Sequence, residues 1–266
     1  MLSSTKSIDS SKTGFLSNDG LRQIANLLTV LLALTVNILA STLPLNGQNT
    51  GEISDRFQVY FVPAGYVFAI WGVIYIGWIA FTIFQLLPAQ KDNPRLQRLG
   101  YLFALSNLAN AAWLFCWHYN QFGLSVLVML ALLGLLIASY LRLEVNRSTA
   151  SRTEYWSVDV MFSVYLGWIT VATVANISDW LYFVGWDGFG IAAQTWAVIM
   201  LVVASFLGLL MALARRDVGY LAVLVWAFIG IAVKQTPAPQ VVLTAWIAAA
   251  LMLGLAVFSL LRRRAT

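Results

Sequence analysis

The sequence predicts an all-α fold: a polytopic membrane helical bundle of about eight spans. Three observations predict it. Of 266 residues, 60% are hydrophobic and only 10% are charged, where a soluble domain carries about 25% charged residues. The apolar residues come in continuous runs, which argues against the alternating pattern of a membrane β-barrel. The scarce charges fall between those runs, mostly on one side. The same numbers exclude intrinsic disorder, because apolar residues are abundant and the net charge is only +5. A disulfide scaffold is excluded too, since Cys116 is the single cysteine.

A spanning helix needs roughly 20 apolar residues, and the charge-free stretches mark them off in order. No Asp, Glu, Lys or Arg lies in Gln23 to Gly51, Phe57 to Gln90 or Leu99 to Leu141. The third stretch is too long for one span and divides at the polar, aromatic turn from His118 to Gly123. Tyr155 to Ser178 contains only Asp159, and Gly188 to Ala214, Val218 to Val233 and Gln235 to Leu261 are again uncharged. The predicted helices are therefore 22–43, 63–88, 97–119, 121–143, 155–178, 190–214, 218–234 and 239–261, with residues 1–21 as a mobile tail.

With eight spans, 14 of the 16 basic residues fall on the side of the termini, and only Arg56 and Lys234 fall opposite. The positive-inside rule then places both termini in the cytoplasm, with a bacterial plasma membrane as the expected setting. The basic balance is thus a topology signal and no argument for nucleic-acid binding. The first helix also has the outline of a signal peptide. Its leader carries Asp9 and Asp19 among the lysines and its apolar run is long, so a retained span is expected.

Polar side chains are costly in lipid, so their positions inform most. Phe68, Trp71, Tyr75 and Trp78 recur at helical spacing, as do Ser106, Asn110, Trp113 and Trp117, and Tyr165, Trp168, Ala172 and Asn176. Asn26 and Asn37 share one face of the first helix. The amides need partners, which turns these faces toward other helices. Two readings stand: an aromatic-walled pocket between helices 1, 2, 3 and 5, or plain helix packing. Trp78, Trp117, Trp156, Trp180 and Trp186 lie near expected interfaces and read as belt residues.

The same stripes carry a family likeness. Pro63-Ala-Gly-Tyr66-Val-Phe68-Ala-Ile-Trp71-Gly-Val-Ile-Tyr75 resembles the second-helix signature of the TspO/MBR family, the tryptophan-rich sensory and translocator proteins. Asn110-Ala-Ala-Trp113 is similar to the third-helix motif, and the run from Tyr165 to Asn176 is similar to the fifth. The resemblance covers about residues 22–178, and residues 179–266 form a three-helix C-terminal extension with a basic tail. It departs from the family pattern at Tyr66, Gly72, Ser106 and Val164. The resemblance implies a five-helix core that binds tetrapyrroles, and in some members sterols, under the loop after helix 1, here Pro44 to Val62. It places Tyr66, Phe68, Trp71, Tyr75, Asn110, Trp113, Tyr165, Trp168, Ala172 and Asn176 at the ligand.

Other signals lead less far. His118 is the only histidine and reads as an interfacial residue, since a haem site would have no second nitrogen ligand. No set of metal ligands is apparent. Asp159 reads as a snorkelling or capped acid, with a proton pathway as the alternative. Lys234 lies at a helix edge, too far out for a retinal Schiff base. Ala204, Gly208 and Ala212 read as a close-packing stripe. No general acid–base pair is present, so no enzyme is expected, and no cofactor is required beyond a tetrapyrrole as ligand. The expected partners are the bilayer and a small hydrophobic ligand, with a homodimer left open. The function expected is sensing or transmembrane movement of that ligand; the alternative is a secondary transporter using helices 6 to 8.

Overall fold

The computed structural model describes residues 18–43 and 45–264. In chain order the helices are α1 (Asn18–Thr42), α2 (Thr50–Asp55), α3 (Ile70–Leu86), α4 (Pro94–Leu99), α5 (Leu102–His118), α6 (Phe122–Arg142), α7 (Arg152–Glu154), α8 (Val160–Phe183), α9 (Ala193–Arg215), α10 (Val218–Lys234) and α11 (Pro239–Arg264). No strand occurs among the described residues. Six helical stretches are long and apolar enough to cross a membrane: 19–42, 65–86, 122–142, 152–183, 193–215 and 239–262. The other two long helices, α5 and α10, have 17 residues each, about 26 Å at 1.5 Å per residue. That sits at the short end of the spanning range.

Each span follows its own pattern. In α1, Val30, Ala33, Asn37 and Ala40 turn inward, while Leu28, Leu31 and Ile38 are about half exposed, the arrangement expected where lipid takes the place of water. The most buried stretch is 152–183, so α8 is the central post. Against it Phe81, Phe103 and Phe162 close a trio with ring centroids 4.5–5.8 Å apart. The Ala204, Gly208, Ala212 stripe is buried as expected. A Cβ on Gly208 would strike the Met252 sulfur and come within 2.8 Å of Leu224.

Three boundaries differ from the sequence expectation. The expected 63–88 helix opens with a 3₁₀ turn, Gly65–Ala69. The 97–119 helix is broken at Gly100, whose φ of 59° suits glycine. The 155–178 helix runs five residues further, to Phe183, so Asp179 lies inside it.

The break at Gly100 leaves α4 free to turn Arg95 inward. Its guanidinium makes a two-pronged pair with Asp159 at 2.8 and 2.9 Å, reaches Glu154 at 3.2 Å and donates to the Leu143 carbonyl at 2.6 Å. Burial by itself would lower the Arg95 pKa, but the hydrogen bonds and charges of Asp159 and Glu154 carry it above the ordinary arginine value. Asp159 is therefore no snorkelling acid; it is 1% exposed and closes the turn of π-helix at Tyr155–Asp159. Nearby, Asp217 caps α10 and accepts from Tyr140 and Ser163, joining α6, α8 and α10.

These contacts gather at one end of the bundle, with Arg98 on Glu144, Arg215 on the Val145 carbonyl and Arg216 on the Arg262 carbonyl. The opposite end holds Arg56 and Lys234, bound to Asn120 and Asp55. The expected charge asymmetry thus has a physical counterpart. Lys6, Lys12 and Pro44 lie outside the described residues.

Candidate functional site

The three aromatic stripes meet. Phe68 and Trp71 from the start of α3, Trp113 from α5, and Trp168, Ala172 and Asn176 from α8 surround one small cavity of about 40 Å³. Trp168 stands edge-on to Phe68 at 5.8 Å and to Trp71 at 6.3 Å. Offset and edge-to-face aromatic pairs of this kind add about 0.5–1.5 kcal/mol each beyond their area.

Four expected site residues stand behind or outside this wall. Tyr75 stacks on Trp71 and donates its hydroxyl to Asn37 at 2.8 Å. Asn110 accepts from the same Asn37, also at 2.8 Å. Tyr165 is fully buried, edge-on to Trp71 and Trp78. These three support the wall. Tyr66 does not: the 3₁₀ turn swings it outward, 46% exposed and edge-on to Trp226. The Asn26 and Asn37 face turns to other helices as expected, Asn26 donating to Gln85 of α3 while its amide oxygen has no partner.

Two tryptophans assigned to the belt belong inside. Trp78 is fully buried against Tyr165, because α8 covers this face of α3. Trp117 is 3% exposed, stacks on Trp113 and lines the cavity. It is covered by α2, which caps that end of the bundle. Trp156, by contrast, is 60% exposed and matches a belt position.

The segment after α1 forms the cover. Asn49 and Glu52 close a capping box that starts α2. Trp117 donates to the Thr50 carbonyl, and His118 meets Thr50 Oγ1 and the Leu45 carbonyl at 3.1 Å each. His118 is therefore a buried fastener of the cover and not an interfacial residue. Thr50 and Ser54 of α2, with Val62 and Pro63, form the roof.

Beneath Ser54 lies a residue that sequence reasoning missed. Asp179 is 1% exposed and lines the cavity. One carboxyl oxygen accepts from Ser54 at a long 3.5 Å, and the other has no partner. Across the site, the Trp168 indole N–H is buried and also without a partner. The signal available for Asp179 is an acid one residue past the apolar stretch Tyr155 to Ser178.

The roof is fastened by α10. The Ala64 amide donates to the Gly230 carbonyl at 3.1 Å, Trp226 donates to the Val67 carbonyl, and Gln235 donates to Val59 and Val62. Of the last three helices, α10 therefore reaches the roof directly. A second, larger cavity of about 360 Å³ opens between α8 and α9, walled by Phe61, Leu181, Trp186, Trp196 and Met200. None of the expected site residues borders it.

A family model described as TSPO-like protein matches residues 23–258. The chain belongs to that family. The match passes residue 178 and takes in most of α9 to α11. Together with the six spanning helices it makes the chain a TSPO-like, integral multi-pass membrane protein. No curated relative and no solved structure matches the chain.

Proposed function

We propose that this TSPO-like protein binds a flat, hydrophobic ligand between α3, α5 and α8, with a tetrapyrrole as first candidate, and serves its sensing or movement across the membrane. The observation that carries this reading is the convergence of Phe68, Trp71, Trp113, Trp168, Ala172 and Asn176 on one cavity under α2. Flat indole faces suit a planar ligand, and Asn176 is already fixed by Trp113 and Ser125. At about 40 Å³ the cavity is small and holds only a few waters. A ligand of porphyrin size therefore requires α2 and the 56–62 segment to lift. The charge asymmetry supports cytoplasmic termini and a cover on the other face.

The test is titration of protoporphyrin IX into the detergent-solubilised protein, followed by tryptophan quenching. Trp71→Phe and Trp168→Phe should each weaken binding several-fold. Unchanged affinity in both variants overturns the site. The proton-pathway reading of Asp159 gains no support, because that carboxylate is held by Arg95 and the Asn146 amide.

A further inference from the structure

We infer that the cavity is built for an organic cation, and that Asp179 receives an ammonium or protonated ring N–H on the flat ligand proposed above. The inference rests on that reading of the cavity and adds the chemical class of its occupant. Five aromatic side chains, Phe68, Trp71, Trp113, Trp117 and Trp168, share the cavity with this carboxyl group. Aromatic faces carry negative quadrupole density and attract cations. A buried acceptor left without a partner costs about 1–3 kcal/mol, and more where it is charged. Asp179 Oδ1 is such an acceptor.

The neighbouring groups do not relieve it. Ser54 is a long, single donor at 3.5 Å to the other oxygen. Lys234 is the nearest basic charge acting on Asp179, but its ammonium is held by Asp55 at 2.5 Å. What Asp179 lacks is a donor from inside the cavity. Trp168 and Asp179 are eleven residues apart on α8, which puts them on one face about 16 Å apart along the axis. Val171, Ala172, Ala175 and Asn176 lie between them on that face. This is a trough with Trp168 at one end and Asp179 at the other, with Trp113 and Trp117 on the Asp179 side. A tetrapyrrole that carries carboxylates fits only with those groups turned toward the Trp168 end, away from Asp179.

The experiment compares two dyes with the same rings, 9-aminoacridine, a cation at neutral pH, and acridine-9-carboxylate, an anion. Each is titrated into the full chain in a non-ionic detergent and followed by fluorescence. The wild-type protein should bind the cation at least about tenfold more tightly. Asp179→Asn should bring the two affinities within about twofold, while Asp179→Glu and Ser54→Ala should keep the preference. Equal affinities in the wild type, or a preference that survives Asp179→Asn, overturn the inference and leave the aromatic site standing. If Asp179→Asn does not fold, the wild-type comparison and Asp179→Glu decide. Failure of both dyes and of protoporphyrin IX to bind overturns the inference together with the site itself.

Discussion

Trp113 of α5 donates its indole N–H to Asn176 Oδ1 of α8 at 3.0 Å, and this bond fixes the back of the cavity. Asn176 has a second partner in Ser125, whereas Trp113 Nε1 has only Asn176. Asn176→Leu strands the indole, while the Ser125 hydroxyl keeps the Phe122 carbonyl, and should cost about 1–3 kcal/mol. Trp113→Phe strands only an amide oxygen that Ser125 also approaches at 3.4 Å, and the packed volume lost there is small. Thermal unfolding in detergent should therefore rank Asn176→Leu below Trp113→Phe. The reverse order would show that the bond does not fix the wall.

The Arg95–Asp159 pair gives a larger effect. Both side chains are almost fully buried, so removing one takes the two-pronged partner from the other, leaving Arg95 only Glu154 and the Leu143 carbonyl, or Asp159 only the Asn146 amide, at a cost of about 3–5 kcal/mol. Arg95→Met and Asp159→Leu alone should each lower the unfolding midpoint sharply. The double replacement should recover a large part of the loss, because the two most deeply buried charges go together and only the more accessible Glu154 loses its partner. Additive losses in the double variant would argue against a coupled pair.

Two helical glycines offer an internal control. A Cβ at Gly230 would collide with Val67 and stand 3.1 Å from Pro63, whereas one at Gly254 meets nothing within 4 Å. Gly230→Ala should destabilise by about 1–3 kcal/mol through overpacking and weaken ligand binding as the roof shifts. Gly254→Ala should be neutral or stabilise by up to about 1 kcal/mol through helix propensity. Equal behaviour in thermal unfolding would remove the case for close contact at Gly230.

The cover makes a kinetic prediction. Asn49→Ala deletes the side-chain half of the capping box on α2, worth about 0.5–2 kcal/mol. A looser α2 should speed both association and release of a porphyrin in stopped-flow quenching, with less change in affinity. If both rates match the wild type, α2 does not control access.

Much of this was legible before any coordinates. Trp71, Trp113 and Trp168 could be placed because helical periodicity puts each on the same face as an amide or phenol that needs a partner. The rest depends on contacts distant in the chain. Tyr66 was misplaced because a 3₁₀ turn turns about 120° per residue where an α-helix turns about 100°. Trp117 looked interfacial because no local signal shows that α2 folds back over the end of α5. The sequence puts Asp179 just past a helix end because charge marks helix ends in a membrane sequence, and its burial depends on Ser54, 125 residues away. Arg95 and Asp159, 64 residues apart, each look like surface charges alone.

The bond between the Ala64 amide and the Gly230 carbonyl involves backbone atoms only. No substitution short of proline at position 64 can delete it. The height of the roof is therefore adjustable mainly through the bulk at position 230, a dial carried on α10 and about 60 residues downstream of the aromatic wall on α8. A change in the last three helices can thus retune the cavity without altering any side chain that faces the ligand.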